Sequence, residues 1–227
     1  MLDSAYRDTR RRIIDLVGAL SPDQLALPVP ATPDWTVHEL LSHLVGGAAD
    51  AATERLDGVG DQWTSRHVSE RRHRTVDELI SEWDRVAPVV ERSLINQKAT
   101  RPNFAADAIC HEADLREALR LGRVDRAHWQ PFLEVMMGFA RLQFRHAQAL
   151  IIEDEQGQQW NCGSGTPATM LRADGYELLR AAYSRRSRRQ IAAWDWTPEP
   201  DPVVVEKFGV FGPRDDDQPI PEAPKVQ

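Results

Sequence analysis

The sequence predicts a mainly α protein: a four-helix bundle with a long crossover between helices two and three, followed by a small α/β C-terminal region. Three observations carry that expectation. Apolar residues recur at helical spacing in separated blocks up to about residue 147. Two T-x-x-E capping boxes, Thr36 with Glu39 and Thr75 with Glu78, mark helix starts. Beyond residue 147 the helical blocks give way to short strand-like runs around Gln156-Gly157.

Helix one is expected over residues 2–20, where Ile13, Ile14, Leu16, Val17 and Leu20 follow an Arg-rich polar stretch. Ser21-Pro22 and the Pro-rich segment from Leu27 to Pro33 break it. Helix two starts at the Thr36 box and takes its apolar face from Leu40, Leu41, Leu44 and Val45, with His43 beside them. Gly46 and Gly47 are costly inside a helix, so they point to close helix packing or, alternatively, to space for a ligand. The polar stretch from Gly58 to Arg74 reads as a loop, the crossover of the bundle. Helix three opens at Thr75 and carries Leu79, Ile80, Trp83, Val86, Val90 and Leu94. Helix four is expected from about Phe104 to Leu119, with Gly122 as its stop. A fifth helix follows from about Phe132 to Ala147.

In the C-terminal region, residues 149–152 and 160–162 read as two strands joined by a turn. Thr166-Pro167 is expected to open a helix through Leu179, with Pro at its first position. A short helix through residues 188–193 precedes Trp194-Asp195-Trp196. The segment from Gly212 to Gln227 is rich in Pro and Asp without an apolar pattern, and is expected to be a flexible tail. The domain division is therefore 1–147, 148–211 and 212–227.

Asp107 and His111 stand four residues apart. That spacing rotates a helix by about 400°, so both side chains share one face, a turn apart. His43, on a helix that the bundle places opposite, supplies a third group. Two imidazoles and one carboxylate, with a position left open, are the donors a catalytic divalent ion uses to activate water or polarise a substrate. The spacing D-x-x-x-H also suits a plain side-chain pair on a helix surface. Asp114 fits either a hydrogen bond to the His111 ring or a solvated ion pair. Glu39 is accounted for by its capping box, and Cys110 by packing as a small buried residue. The cluster Arg185, Arg186, Arg188 and Arg189 suits a salt-bridged face better than an anion site.

A net charge of −7 argues against a nucleic-acid partner held by a global positive field. No apolar run approaches a membrane span, and the opening residues lack the apolar core of a secretory signal. Two cysteines, Cys110 and Cys162, supply neither a disulfide framework nor a Cys-based zinc motif. The chain is expected to be cytoplasmic, with a small-molecule partner.

Three segments carry a family resemblance. Trp35-Thr36-Val37 through His43-Leu44 resembles the W-T-V-x-x-L-x-x-H-L segment of the DinB-like superfamily, and in particular of its mycothiol-dependent maleylpyruvate isomerase branch. Asp107 through His111, Asp114 and Leu115 is similar to that branch's E-x-x-x-H-x-x-D-L motif. The run from Leu179 through Ile191 to Trp196 resembles actinobacterial members. The resemblance implies a bundle with a divalent metal, zinc foremost, on His43, Asp107 and His111. It also implies mycothiol, a small thiol, as cofactor, and a transferase or isomerase reaction on a small electrophilic metabolite. A non-catalytic small-molecule or partner-binding bundle with a vestigial site, and a metal-activated hydrolase, are the alternatives. One departure bears on the metal: the branch carries Glu where this chain has Asp107, one methylene shorter.

Overall fold

The computed structural model describes residues 1–55, 60–97, 103–146 and 148–224. They divide into two compact units, Met1–Arg123 with Pro221–Gln227, and Val124–Ile220.

The first unit is the bundle. Helix α1 (Leu2–Val17) leads through a single turn, α2 (Pro22–Leu25), into a small antiparallel hairpin of β1 (Pro28–Val29) and β2 (Thr32–Thr36). Then come α3 (Val37–Ala52), α4 (Asp61–Arg71), α5 (Val76–Leu94) and α6 (Phe104–Ala118). Helix α1 packs on α5 and α6, and α3 packs on α5 and α6, which closes the four-helix arrangement. Both anticipated capping boxes form, with Thr36 and Thr75 each accepting from the backbone of the Glu three residues on. Asn103 caps α6 by accepting from Ala105 and Ala106. The centre is filled by Ile13, Leu40, Leu41, Leu79, Trp83 and Leu115, all fully buried. Trp83 donates its indole N–H to the Tyr6 hydroxyl at 2.8 Å. Burial pushes that phenol up to about 12, so it stays protonated.

The largest difference from the sequence reading falls in the crossover. Gly58 lies outside the described residues, but Asp61–Arg71 is a helix and not a loop. The apolar pattern was silent because α4 turns only His67, Val68 and Arg71 inward. Polar contacts hold it instead. Trp63, Arg66 and His67 all donate to Asp50 of α3, and Arg71 makes a two-pronged contact with Glu82 of α5 at 2.8 and 3.0 Å.

Helix α4 can lie this close to α3 because of Gly46. A Cβ there would stand 2.5 Å from the Cβ and Cγ of His67, well inside van der Waals contact, so the close-packing reading of this glycine applies. Gly46→Ala is therefore expected to push α4 outward. Overpacking of this kind costs about 1–3 kcal/mol, measurable as a drop in the urea midpoint. A stability equal to the parent protein would show that the approach is not that tight in solution.

The second unit is α/β. Helix α7 (Arg126–Gln143) is followed by β3 (Gln148–Glu153), β4 (Gln159–Cys162), β5 (Ser164–Arg172), α8 (Gly175–Ala182), α9 (Arg188–Ala192), β6 (Asp195–Thr197) and α10 (Pro202–Val205). The sheet order is β4-β3-β5-β6, with β3 and β5 parallel and the other pairs antiparallel. Helix α7 packs on α8 and β4 through an apolar face that includes Trp129, Leu133 and Met137.

Two expectations change here. The helix anticipated from Thr166 to Leu179 is a strand as far as Arg172, and the helix begins only after Asp174, whose side chain accepts from Glu177 N–H. Pro167 lies where the β3–β5 register slips between Gln148↔Ser164 and Leu150↔Thr169, a place that needs no ladder N–H. The fifth helix starts at Arg126, behind an Asp125 cap, and carries Pro131 inside it. Its expected end, Ala147, lies outside the described residues.

The units also divide the chain elsewhere than at residues 147 and 212. Helix α7 joins the second unit because its apolar face meets α8 and β4. Residues of the expected tail hold fixed polar contacts: Arg214 exchanges backbone bonds with Arg186 and Arg188 at 3.0 Å, and the backbone of Gln218 both donates to and accepts from the side-chain amide of Gln190. Such docking needs no apolar residues, which is why composition did not reveal it. The neighbouring arginines are ion-paired, Arg186 with Glu177, Arg188 with Glu206 and Asp215, and Arg189 with Asp217. Among the described residues, no helix is long and apolar enough to cross a membrane.

Candidate metal centre

His43, Asp107 and His111 meet inside the first unit. Each offers one ligand atom, and the three atoms all lie within 4.8 Å of one another. The two histidines are buried and Asp107 is half-exposed, so the group opens to solvent on the carboxylate side. Helix α3 delivers His43 because its apolar face, Leu40, Leu41, Leu44 and Val45, fixes the rotation that turns residue 43 toward α6. On α6, one turn of helix sets Asp107 Oδ1 3.5 Å from His111 Nε2. Two ligands about 2.1 Å from one ion, at tetrahedral angles, stand about 3.4 Å apart. The Asp107–His111 pair stands close to that spacing despite the shorter Asp side chain.

The other edge of His111 is occupied. Its Nδ1 lies 2.9 Å from Asp114 Oδ2, and Asp114 is fully buried. A carboxylate there takes the Nδ1–H, fixes the ring's tautomer and leaves Nε2 facing Asp107 and His43. Of the two readings open for Asp114, the structure thus selects the bond to the ring.

Around His43 the structure adds His67 and Trp63, which the sequence did not single out. His67 of α4 places Nδ1 3.2 Å from His43 Nδ1, and its Nε2 lies 3.0 Å from Asp50 Oδ2. Trp35 lies tilted against the His43 ring at 5.0 Å, and Trp63 meets it edge-on at 6.2 Å. Burial works against the charge of Asp50, but hydrogen bonds from His67 and Arg66 outweigh it and hold the carboxyl below its ordinary range. Burial also pushes the His67 imidazole down against the pull of Asp50, which keeps the ring neutral near pH 7.

The donor set fits a divalent ion of the zinc type. It offers borderline nitrogen donors and one carboxylate, a buried carboxylate behind one ring, and an open side. Neither cysteine competes as a ready nucleophile. Cys110 is buried on α6, and burial pushes the Cys162 thiol up to about 11.

Residues 6–105 match the family described as the mycothiol maleylpyruvate isomerase N-terminal domain. This segment holds His43, Asp50 and His67, and ends two residues before Asp107. Among solved structures, the chain is similar to the mycothiol-dependent maleylpyruvate isomerase and to its H52A mutant. Each shares 10% identity with it at a TM-score of 0.56, over 88% of this chain and 93% of the other. That likeness is one of fold. No curated protein matches the chain.

Proposed function

We propose that this chain, whose residues 6–105 match the mycothiol maleylpyruvate isomerase N-terminal domain, is a metal-dependent enzyme that uses mycothiol to isomerise or transfer a small electrophilic metabolite. The observation that carries the reading is the convergence of His43, Asp107 and His111 within 4.8 Å, from two helices and across 63 intervening residues. His43 and His111 would hold the ion as neutral nitrogen donors, and Asp107 would close the set from the solvent side. When bound, a divalent ion at this point lowers the pKa of a thiol that shares its coordination, so that the thiolate is available near neutral pH.

The chain's own residues do the rest. Asp114 orients His111, and the rings of Trp35 and Trp63 shield His43 from water. Maleylpyruvate, named for the structural neighbours, is the first small electrophile to assay. The half-exposed Asp107 marks the side from which thiol and substrate would enter.

The thiol claim is tested by calorimetry. Mycothiol is expected to bind zinc-loaded protein more tightly than zinc-free protein, because the sulfur–metal contact exists only in the former. Equal affinity, or no binding, removes the thiol claim and leaves the metal site standing.

A further inference from the structure

We infer that His67 and Asp50 act as a positioning relay behind His43, holding that ring as the tautomer protonated on Nδ1 and turning its Nε2 toward the metal position. The inference rests on the proposed metal site.

One fixed point determines the proton positions. Asp50 Oδ2 sits among three donors, the indole of Trp63 at 2.8 Å, Arg66, and His67 Nε2 at 3.0 Å. A carboxylate in that setting only accepts, so His67 carries its proton on Nε2. The lone pair of His67 Nδ1 then faces His43 Nδ1 at 3.2 Å, and a bond between the two nitrogens requires the proton on His43. A histidine protonated on Nδ1 coordinates through Nε2. The relay thus runs from a carboxylate on α3, through a ring on α4, back to a ring on α3.

The two imidazoles are supported differently. His111 donates directly to a buried carboxylate. His43 donates to a neutral ring, and the charge of Asp50 reaches it only at second hand. The two positions seven residues apart on α3, His43 and Asp50, are joined by a helix whose approach depends on Gly46. That requirement gives α4 a role at the site which its surface pattern does not suggest.

The test uses the full chain. In zinc-free protein, two-bond ¹⁵N–¹H correlation spectra of ¹⁵N-histidine should show His43 as the Nδ1–H form and His67 as the Nε2–H form. His67→Phe keeps a ring of similar size but no acceptor. It should lower zinc affinity, read by chelator competition, about 10–100-fold and leave His43 as a mixture of tautomers. His67→Gln, which restores an accepting oxygen, should recover part of that loss. An Nε2–H proton on His43 in the parent protein overturns the relay, as does unchanged zinc affinity in a folded His67→Phe. The spectra of zinc-free protein read the relay whether or not the ion binds. Failure of the parent protein to take up zinc would instead overturn the metal reading.

Discussion

His111→Ala is expected to abolish stoichiometric zinc binding and activity together. The substitution takes the central donor of the set, the atom 3.5 Å from Asp107 and on the ring that meets His43 edge-on at 5.2 Å. Removing an outer partner of a metal-bound histidine already costs about 10–100-fold in affinity, so loss of the ligand itself should exceed about 100-fold. It also deprives the fully buried Asp114 of its imidazole, and the protein should lose stability as well as metal. Asp107→Ala separates the two effects. Its side chain is half-exposed, so the metal should go with little change in the urea midpoint. His128→Ala, on α7 in the second unit, should keep both metal and activity. Zinc retained at one equivalent in His111→Ala would sink the assignment.

Much of the bundle was legible in the sequence because its helix starts and the Asp107–His111 pair rested on local signals, whereas His43 was joined to that pair by the bundle expectation and the family resemblance. The capping boxes at Thr36 and Thr75 are fixed by residues three apart, and Asp107 and His111 by residues four apart. What escaped depended on contacts between distant polar groups. Helix α4 has no apolar stripe, since it is held by Asp50 and Glu82, and so its stretch read as loop. The relay residues followed the same rule: His67 stood in a polar run, and only Gly46, costly in a helix interior, hinted that something packs against α3 there. In the second unit, Pro167 read as a helix start because position N1 tolerates a missing N–H. An irregular strand pairing tolerates it equally well, and only the partner strand decides. The segment beyond residue 212 failed for a related reason. A core is sensed through apolar residues, whereas Arg214 and Gln218 are held by hydrogen bonds.

Glu82→Ala is expected to be the most destabilising single change in the polar framework behind the site. Arg71 and Glu82 are both buried, with side-chain exposures of 5% and 8%, and the carboxylate also accepts from Arg74 at 2.8 Å. Removing the acid strands a buried guanidinium, a situation that costs about 3–5 kcal/mol. Glu70, 3.7 Å from Arg71 and more exposed, can take over part of the pairing, which places the expected loss near the lower end, about 3 kcal/mol. The urea midpoint should fall accordingly. Replacing both partners with apolar side chains of similar size, Arg71→Met with Glu82→Leu, should restore most of the stability, because no charge is then left buried. Zinc affinity should follow a related course. Arg71 lies one turn from His67 and donates weakly to its carbonyl at 3.4 Å, so in Glu82→Ala the helix that carries the relay loses its anchor on α5. The double variant re-anchors α4 by packing and should bind zinc more tightly than the single one. A loss under about 1 kcal/mol for Glu82→Ala would place that pair in the weak class of solvated surface bridges, and would mean that α4 owes its position to the contacts around Asp50 alone.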